Sequence, residues 1–205
     1  MSNSEIRDPK TDHLITPENS ALIVIDYQPL QINSINSMLR STLVRNIEIV
    51  TQMAMDYKIP VILSTVRVKL NNLPDTIPSL RGILQGVASY DRTSINAWED
   101  QDFYKAVIAT RRKKLLMTAL WTEACLSFPT LDAMKEGFEV YPIVDAVGGT
   151  SVVAHEAALR RVEQAGAKLC SVAQLACEIQ RDWIRKSTAP FMQKALENVG
   201  AFLEL

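Results

Sequence analysis

The stretch KLLMTALWTEACLSFPTLDAMKEGFEVYPIVDA, residues 114–146, decides how the rest of the chain is read. It opens on an apolar run, KLLMTAL (114–120), passes through CLSFPTLDAMKEG (125–137), and closes on a second apolar run, EVYPIVDA (139–146). Short continuous apolar runs suit strands covered on both faces, because such strands have no solvent side to alternate with. The middle piece reads as a helix ending at Gly137, with Pro129 close enough to the first turn to be tolerated. Strand, helix, strand in this order is the unit of a parallel sheet.

Outward from this unit the alternation recurs. ALIVID (21–26) and PVILSTV (60–66) are further strand runs, and KLCSV (168–172) is a weaker fifth. Between them, TLVRNIEIVTQMAMDY (42–57) places Leu43, Ile47, Val50, Met53 and Ala54 on one helical face, and EDQDFYKAVIATRR (99–112) does the same with Phe103, Val107 and Ile108. TSVVAHEAALRRVEQAG (150–166) opens on a Thr/Ser cap signal and ends at Gly166. The pattern predicts an α/β fold with a mostly parallel central sheet covered by helices. The segment 68–98, rich in Asn, Pro and Ser, reads as irregular, and so long a connection in a compact domain points to function. Beyond about residue 178, Phe191, Ala195, Leu196, Val199 and Phe202 recur at helical spacing, a stripe that needs a partner surface on this chain or another subunit. The chain therefore divides into a polar N-terminal arm (1–13), one domain (14–185) and an amphipathic helical tail (186–205).

Composition narrows the function classes. Of 205 residues, 47% are hydrophobic and 22% charged, with a formal net charge of −1. That balance gives no electrostatic case for nucleic acid or an anionic membrane, and RRKK (111–114) reads as a short solvated turn. No apolar run approaches the roughly 20 residues of a membrane span, and MSNSEIRDPKTDH (1–13) lacks the apolar segment of a signal peptide. The three cysteines, Cys125, Cys170 and Cys177, are an odd number without metal-type spacing. A reducing cytoplasm without disulfides is the expected setting.

In open α/β sheets, sites form at the carboxyl ends of the strands. Asp26 closes ALIVID, Cys125 follows KLLMTALWTE where the helix begins, and Asp145 closes EVYPIVD. Taken singly, a strand-end Asp caps a turn or helix and a buried Cys packs inertly. For Asp145, followed by Ala-Val-Gly-Gly-Thr, the capping reading stands. Asp26 and Cys125 together say more. A helix N-terminus favours thiolate, a nearby carboxylate can take the thiol proton, and amides of a tight turn can hold an oxyanion. These are the parts of a thiol hydrolase that uses no metal or cofactor.

Other α/β chemistries fit less well. Asp26 is followed by Tyr-Gln-Pro-Leu instead of a glycine-rich dinucleotide turn, and neither G-x-x-x-x-G-K-[ST] nor G-x-S-x-G occurs. His13 lies in the polar arm and His155 within the 150–166 helix. Both read as surface or packing residues, which leaves no basis for a histidine metal centre.

Several separated segments, in this order, resemble the isochorismatase-like cysteine hydrolases and their YcaC-related branch: LITPENSALIVIDYQP, DRTSINAWED, ALWTEACLSFPTLDAMKEGFEVYPIVDAVGGTSVVAHEAALRRVEQAGA and EIQRDW. The resemblance spans roughly residues 14–185. It implies a three-layer α/β/α sandwich and a Cys–Asp–Lys triad acting on a small amide or related C–N bond through a thioester. By position the nucleophile is Cys125, the acid Asp26, and the cation Arg92 in place of the superfamily Lys. Arg keeps the charge but does not exchange a proton as Lys can. Lys113 and Lys114 precede their strand, Lys105 falls in a predicted helix, and Lys69 is the only geometric rival.

The resemblance also implies a cis peptide at Leu120–Trp121, with the Trp121 and Cys125 amides as the oxyanion hole. Tyr27, Asn96, Trp98 and Trp121 are the candidate pocket residues for a small-molecule substrate. It further implies a homo-oligomer and no cofactor. The Asp-x-His metal motif of nicotinamidases is missing, which disfavours that activity. Two alternatives remain: a non-catalytic oligomeric member of the same fold serving binding or scaffolding, and a flavodoxin-like or receiver-like signalling domain. The latter needs adjacent acids after the first strand, where this chain has one Asp followed by Tyr.

Overall fold

The computed structural model describes residues 7–183, 185–186 and 188–201. In chain order the elements are β1 (Ser20–Ile25), α1 (Pro29–Asn33), α2 (Arg40–Asp56), β2 (Val61–Val66), α3 (Val68–Asn71), α4 (Pro78–Ile83), β3 (Ser89–Arg92), α5 (Gln101–Ala109), β4 (Lys114–Ala119), α6 (Ser127–Lys135), β5 (Glu139–Pro142), α7 (Val152–Gln164), α8 (Val172–Gln180) and α9 (Ala189–Asn198). A 3₁₀ turn (Ala97–Glu99) precedes α5, and a π-helical turn (Thr122–Leu126) joins β4 to α6. The five strands form one sheet in the order β3-β2-β1-β4-β5, and every neighbouring pair is parallel.

Strand alternation divides the core between the two faces of the sheet. Leu22 and Val24 of β1 and Leu116 of β4 pack with Leu43, Ile47 and Val50 of α2 and with α8 and α9. Ala21, Ile23, Ile25, Leu115 and Met117 point the other way, onto Phe103 and Val107 of α5 and Ala133 of α6. All six residues of β1 and of β4 are buried, which is why both read as unbroken apolar runs. The result is the three-layer α/β/α sandwich implied by the resemblance.

Two local expectations need correction, and one left open is decided. Segment 68–98 is ordered into α3, α4 and β3. The strand SYDR (β3) is a half-buried edge strand paired only with β2, and it presents no apolar run to detect. KLCSV forms no strand. It contributes a single bridge, Ile143 to Cys170, before Ser171 caps α8 by accepting a hydrogen bond from the Gln174 N–H. The apolar stripe of the tail lies on α2 and α8 of the same chain, with Met192, Ala195 and Leu196 buried and Phe191 edge-on to Tyr57 at 6.0 Å. Phe202, the last member of that stripe, lies outside the described residues. Among those described, no helix is long and apolar enough to cross a membrane.

Candidate active site

Parallel pairing brings the carboxyl ends of β1, β2, β3 and β4 to one edge of the sheet. Asp26 follows β1, Arg92 is the last residue of β3, and Cys125 lies in the π-helical turn after β4. Asp26 has φ +64°, a left-handed conformation uncommon for any residue with a Cβ and best tolerated by Asn and Asp. Its N–H still donates to Ser64 O at 3.0 Å, so the chain turns sharply out of the sheet while remaining anchored to β2.

Arg92 reaches past β2 to meet this carboxylate. Nη1 donates to Asp26 Oδ1 and Nη2 to Oδ2, both at 2.7 Å, with both side chains wholly buried. Nη1 also donates to Ser64 Oγ and Thr65 O at 3.2 Å each, and Nη2 to Ile95 O at 3.1 Å. The planar fork fits a carboxylate better than an ammonium would. Burial opposes the Arg92 charge, but the Asp26 carboxylate outweighs it and raises the guanidinium above its ordinary range. The lysine rival fails on position: Lys69 is exposed beyond β2, and Lys114 pairs with Glu139 at the opposite edge at 2.9 Å.

Cys125 does not sit at a plain helix N-terminus. The turn that carries it closes through Leu126 N–H to Trp121 O at 3.2 Å, five residues back, before α6 begins. The Leu120–Trp121 peptide is cis. The thiol is pushed up to about 12, first by burial and then by the Asp26 charge, while Arg92 and the Trp121 backbone N–H act in the opposite direction. A lowered thiol was the expectation from the helix end. It is overturned because the sulfur lies inside the protein beside a carboxylate, where desolvation exceeds the pull of a helix terminus. The resting group is a thiol with a carboxylate beside it.

The turn that carries Cys125 is fastened to the segment after β5. Thr122 is fully buried; its N–H donates to Gly148 O at 2.9 Å and its Oγ1 lies 2.8 Å from His155 Nδ1. Glu123 Oε1 accepts from Thr150 N–H and Oγ1 at 2.9 and 2.6 Å. Gly149 makes this approach possible, since an added Cβ would stand 2.6 Å from Glu123 Oε2 and 3.1 Å from His155 Cβ. His155, read from sequence as a packing residue, is thus in contact with the turn that holds Cys125. Ser64, Thr122 and Glu123 also escaped notice, although all three lie inside segments singled out as a strand end or the nucleophile turn.

The candidate pocket residues each have hydrogen-bond partners of their own. Trp121 is about one-third exposed, with its indole N–H donated to Ser34 Oγ. Tyr27 is wholly buried and its hydroxyl donates to Ala146 O at 2.6 Å. Asn96 donates to Asp132 Oδ2 at 2.7 Å and accepts from the Trp98 N–H. Trp98 donates to Glu136 and packs edge-on against Phe103, Tyr104 and Phe138. The polar atoms of Tyr27, Asn96 and Trp98 are therefore committed to hydrogen bonds within the surrounding structure. Asp145 caps as read, its Oδ1 accepting from Val172 N–H at 2.9 Å.

A groove of about 220 Å³ between α2 and α9, lined by residues such as Met53, Ile83, Phe191 and Lys194, contains none of these groups. At the sheet edge a thiol, a carboxylate and a guanidinium converge, which makes it the candidate site. Among the described residues, no group of three or more His, Cys, Asp or Glu side chains could hold a metal ion.

Known proteins resemble this chain in sequence and in fold. The Isochorismatase domain family matches residues 20–174. The probable hydrolase YcaC of Escherichia coli (strain K12) is 32% identical over 166 residues, covering 80% of this chain and 79% of that protein. The crystal structure of E. coli YcaC, described as an octameric hydrolase of unknown specificity, superposes with a TM-score of 0.85 at 29% identity over 91% of each chain. YcaC from Pseudomonas aeruginosa, solved with hexane-2,5-diol and covalent acrylamide, gives 0.85 at 30% identity over 92% of each.

Proposed function

The chain belongs to the isochorismatase family, and from that premise we propose that it is a cysteine hydrolase acting on a small amide or related C–N bond. The observation that carries the proposal is the buried Asp26–Arg92 pair beside the Cys125 thiol. Asp26 takes the thiol proton as substrate binds, and the sulfur attacks the carbonyl carbon to form the S–C bond. The Trp121 and Cys125 amides hold the resulting oxyanion. Collapse breaks the C–N bond, and Asp26 returns its proton to the leaving nitrogen. Asp26 then deprotonates a water that attacks the thioester, releasing the acid and restoring the thiol. Arg92 keeps its proton throughout and holds the carboxylate in register.

A raised thiol suits this sequence of steps. The proton leaves only when substrate has displaced solvent and an acceptor oxyanion is about to form. The covalent acrylamide of the P. aeruginosa relative supports a nucleophile that a small amide-bearing reagent reaches in that protein. We further propose a cytoplasmic location and a homo-oligomeric assembly, the latter supported by the octameric E. coli relative. The raised thiol also favours one second reading, a non-catalytic member of the same fold.

A screen of small primary amides for ammonia release, run with wild type and Cys125→Ala, separates the two. Turnover by wild type alone, with an acyl adduct on the Cys125 peptide by mass spectrometry, is expected. No turnover and no adduct, with Cys125 alkylating no faster than Cys170 or Cys177, would leave the non-catalytic reading.

A further inference from the structure

Thr122 anchors the turn that carries Cys125, and three of its groups are committed. Its N–H donates to Gly148 O at 2.9 Å, its carbonyl accepts from Ser127 Oγ at 2.7 Å, and its Oγ1 lies 2.8 Å from His155 Nδ1. It directly follows Trp121, whose backbone N–H acts on the Cys125 sulfur. Of the three partners, a main-chain carbonyl, a hydroxyl and an imidazole, only the imidazole changes protonation near neutral pH.

The direction of the Thr122–His155 bond follows from burial. Thr122 is fully buried, and its hydroxyl has no other partner among the described residues. A buried hydroxyl that donates to nothing is costly, so Oγ1–H donates to Nδ1. That requires a neutral imidazole with its proton on Nε2. A proton on Nδ1 reverses the bond and leaves the Thr122 hydroxyl hydrogen without an acceptor. Glu123 then offers the imidazolium a competing partner. Its Oε1 accepts from Thr150 N–H and Oγ1, whereas Oε2 is buried with no hydrogen-bond partner among the described residues.

We propose that His155 is a positioning residue: its neutral form, acting through Thr122, holds the Cys125 turn in its reactive shape, and protonation releases that hold. The inference rests on the reading of Cys125 as the nucleophile and adds a residue that acts on it at one remove. Burial lowers the His155 pKa from its usual value, against the opposing charges of Glu123 in the turn and Glu156 on α7, which favours the neutral form at pH 7. The charged residues of α6, which also packs on α7, are Asp132 and Lys135, and Asp132 accepts from Asn96 Nδ2. Segment 148–151 is uncharged.

The chain has two histidines, so the His155 ring can be followed by long-range proton–nitrogen NMR. In parallel, the iodoacetamide rate of Cys125 is measured from about pH 8 downward, with the exposed Cys177 as internal standard. Asn at position 155 places an oxygen acceptor near the site of Nδ1 and does not titrate, so the ratio of wild type to His155→Asn removes the ordinary ionisation of the thiol. The expected results are an Nε2–H tautomer at neutral pH and a ratio near unity at about pH 8 that falls several-fold at the midpoint of the His155 titration. Thr122→Val keeps the buried volume without the hydroxyl. It should alkylate several-fold more slowly at about pH 8 and show no step at that midpoint, while Thr122→Ser should keep the step. An Nδ1–H tautomer, or a ratio that stays level or rises through the His155 titration, overturns the proposal, as does a step that survives in Thr122→Val. Alkylation needs no substrate, so an amide screen without turnover would count against the hydrolase reading and leave this coupling standing.

Discussion

Arg92 binds both oxygens of Asp26 at 2.7 Å across an intervening strand, with neither side chain reaching solvent. Placing two opposite charges in the interior costs several kcal/mol of hydration apiece, so the pair survives only because its geometry and extra hydrogen bonds offset that cost. The additional donors to Ser64, Thr65 O and Ile95 O complete the arrangement. Removing one partner therefore does more harm than the net value of the pair suggests.

Arg92→Ala strands the Asp26 carboxylate without its counter-charge and is expected to destabilise the fold by about 3–5 kcal/mol. Arg92→Lys restores the charge but not the two-point grip, and should recover part of the stability. Urea unfolding of the three proteins checks the ranking. Equal stability of the Ala and Lys variants would show that the fork carries nothing.

Asp26→Asn separates thiol ionisation from turnover. The Asp26 charge is one of the causes that raise the Cys125 thiol, so its removal should lower that thiol and speed iodoacetamide alkylation at fixed pH. Hydrolysis should fall about 10²–10⁴-fold in the same variant, because the proton acceptor is gone. Movement of both rates in the same direction would contradict the proposed role of Asp26.

Stability should decline on the alkaline side. The Cys125 thiol is raised from 9.0 to about 12 in the folded chain. Its contribution is complete below pH 9, and is lost as the pH rises towards 12 because the unfolded chain ionises first. Cys125→Ala should flatten part of that decline in chemical denaturation between about pH 9 and 12. Cys170, raised to about 12 by burial, keeps the remainder.

The acid side has a different origin. The Glu139 carboxyl is partly desolvated, but hydrogen bonds from Lys168 and Lys114 outweigh this and lower it from 4.5 to about 2. Its contribution is present above pH 4.5 and is lost as the pH falls towards 2. Glu139→Gln should cost at most about 1 kcal/mol at neutral pH, a modest figure because the carboxylate is 40% exposed and screened. The difference from wild type should vanish near pH 2 in acid-unfolding curves.

Gly149→Ala tests the fastening of the turn that carries Cys125. The added methyl would meet Glu123 Oε2 at 2.6 Å and the His155 backbone Cα at 3.2 Å, so the turn and α7 must separate. A loss of about 1–3 kcal/mol is expected, with a fall in Cys125 alkylation or turnover at temperatures where the variant is still folded. Unchanged reactivity would show that the turn keeps its shape without this contact.

Much of the architecture was legible in the amino-acid order. β1 and β4 are central strands buried on both faces, so their sequences are apolar without interruption, and the helices between them carry one-sided stripes. Asp26 and Cys125 were legible for a related reason, since each directly follows such a run and a parallel sheet must bring those ends together. β3 was not legible. As a short edge strand with polar residues it needs the ladder of β2 to hold it, and no local pattern announces that.

Sequence alone thus determined the α/β class, the sheet edge at which Asp26 and Cys125 meet and the identities of that thiol and carboxylate, because periodicity and strand ends are local properties of the chain. Tertiary structure decided the rest. It fixed the two-point grip of Arg92 on Asp26 across β2, the raised thiol of Cys125, and the fastening of its turn by Thr122, Glu123 and His155. Each of these depends on burial and on distances between residues far apart in the chain, and desolvation has no signature in residue order.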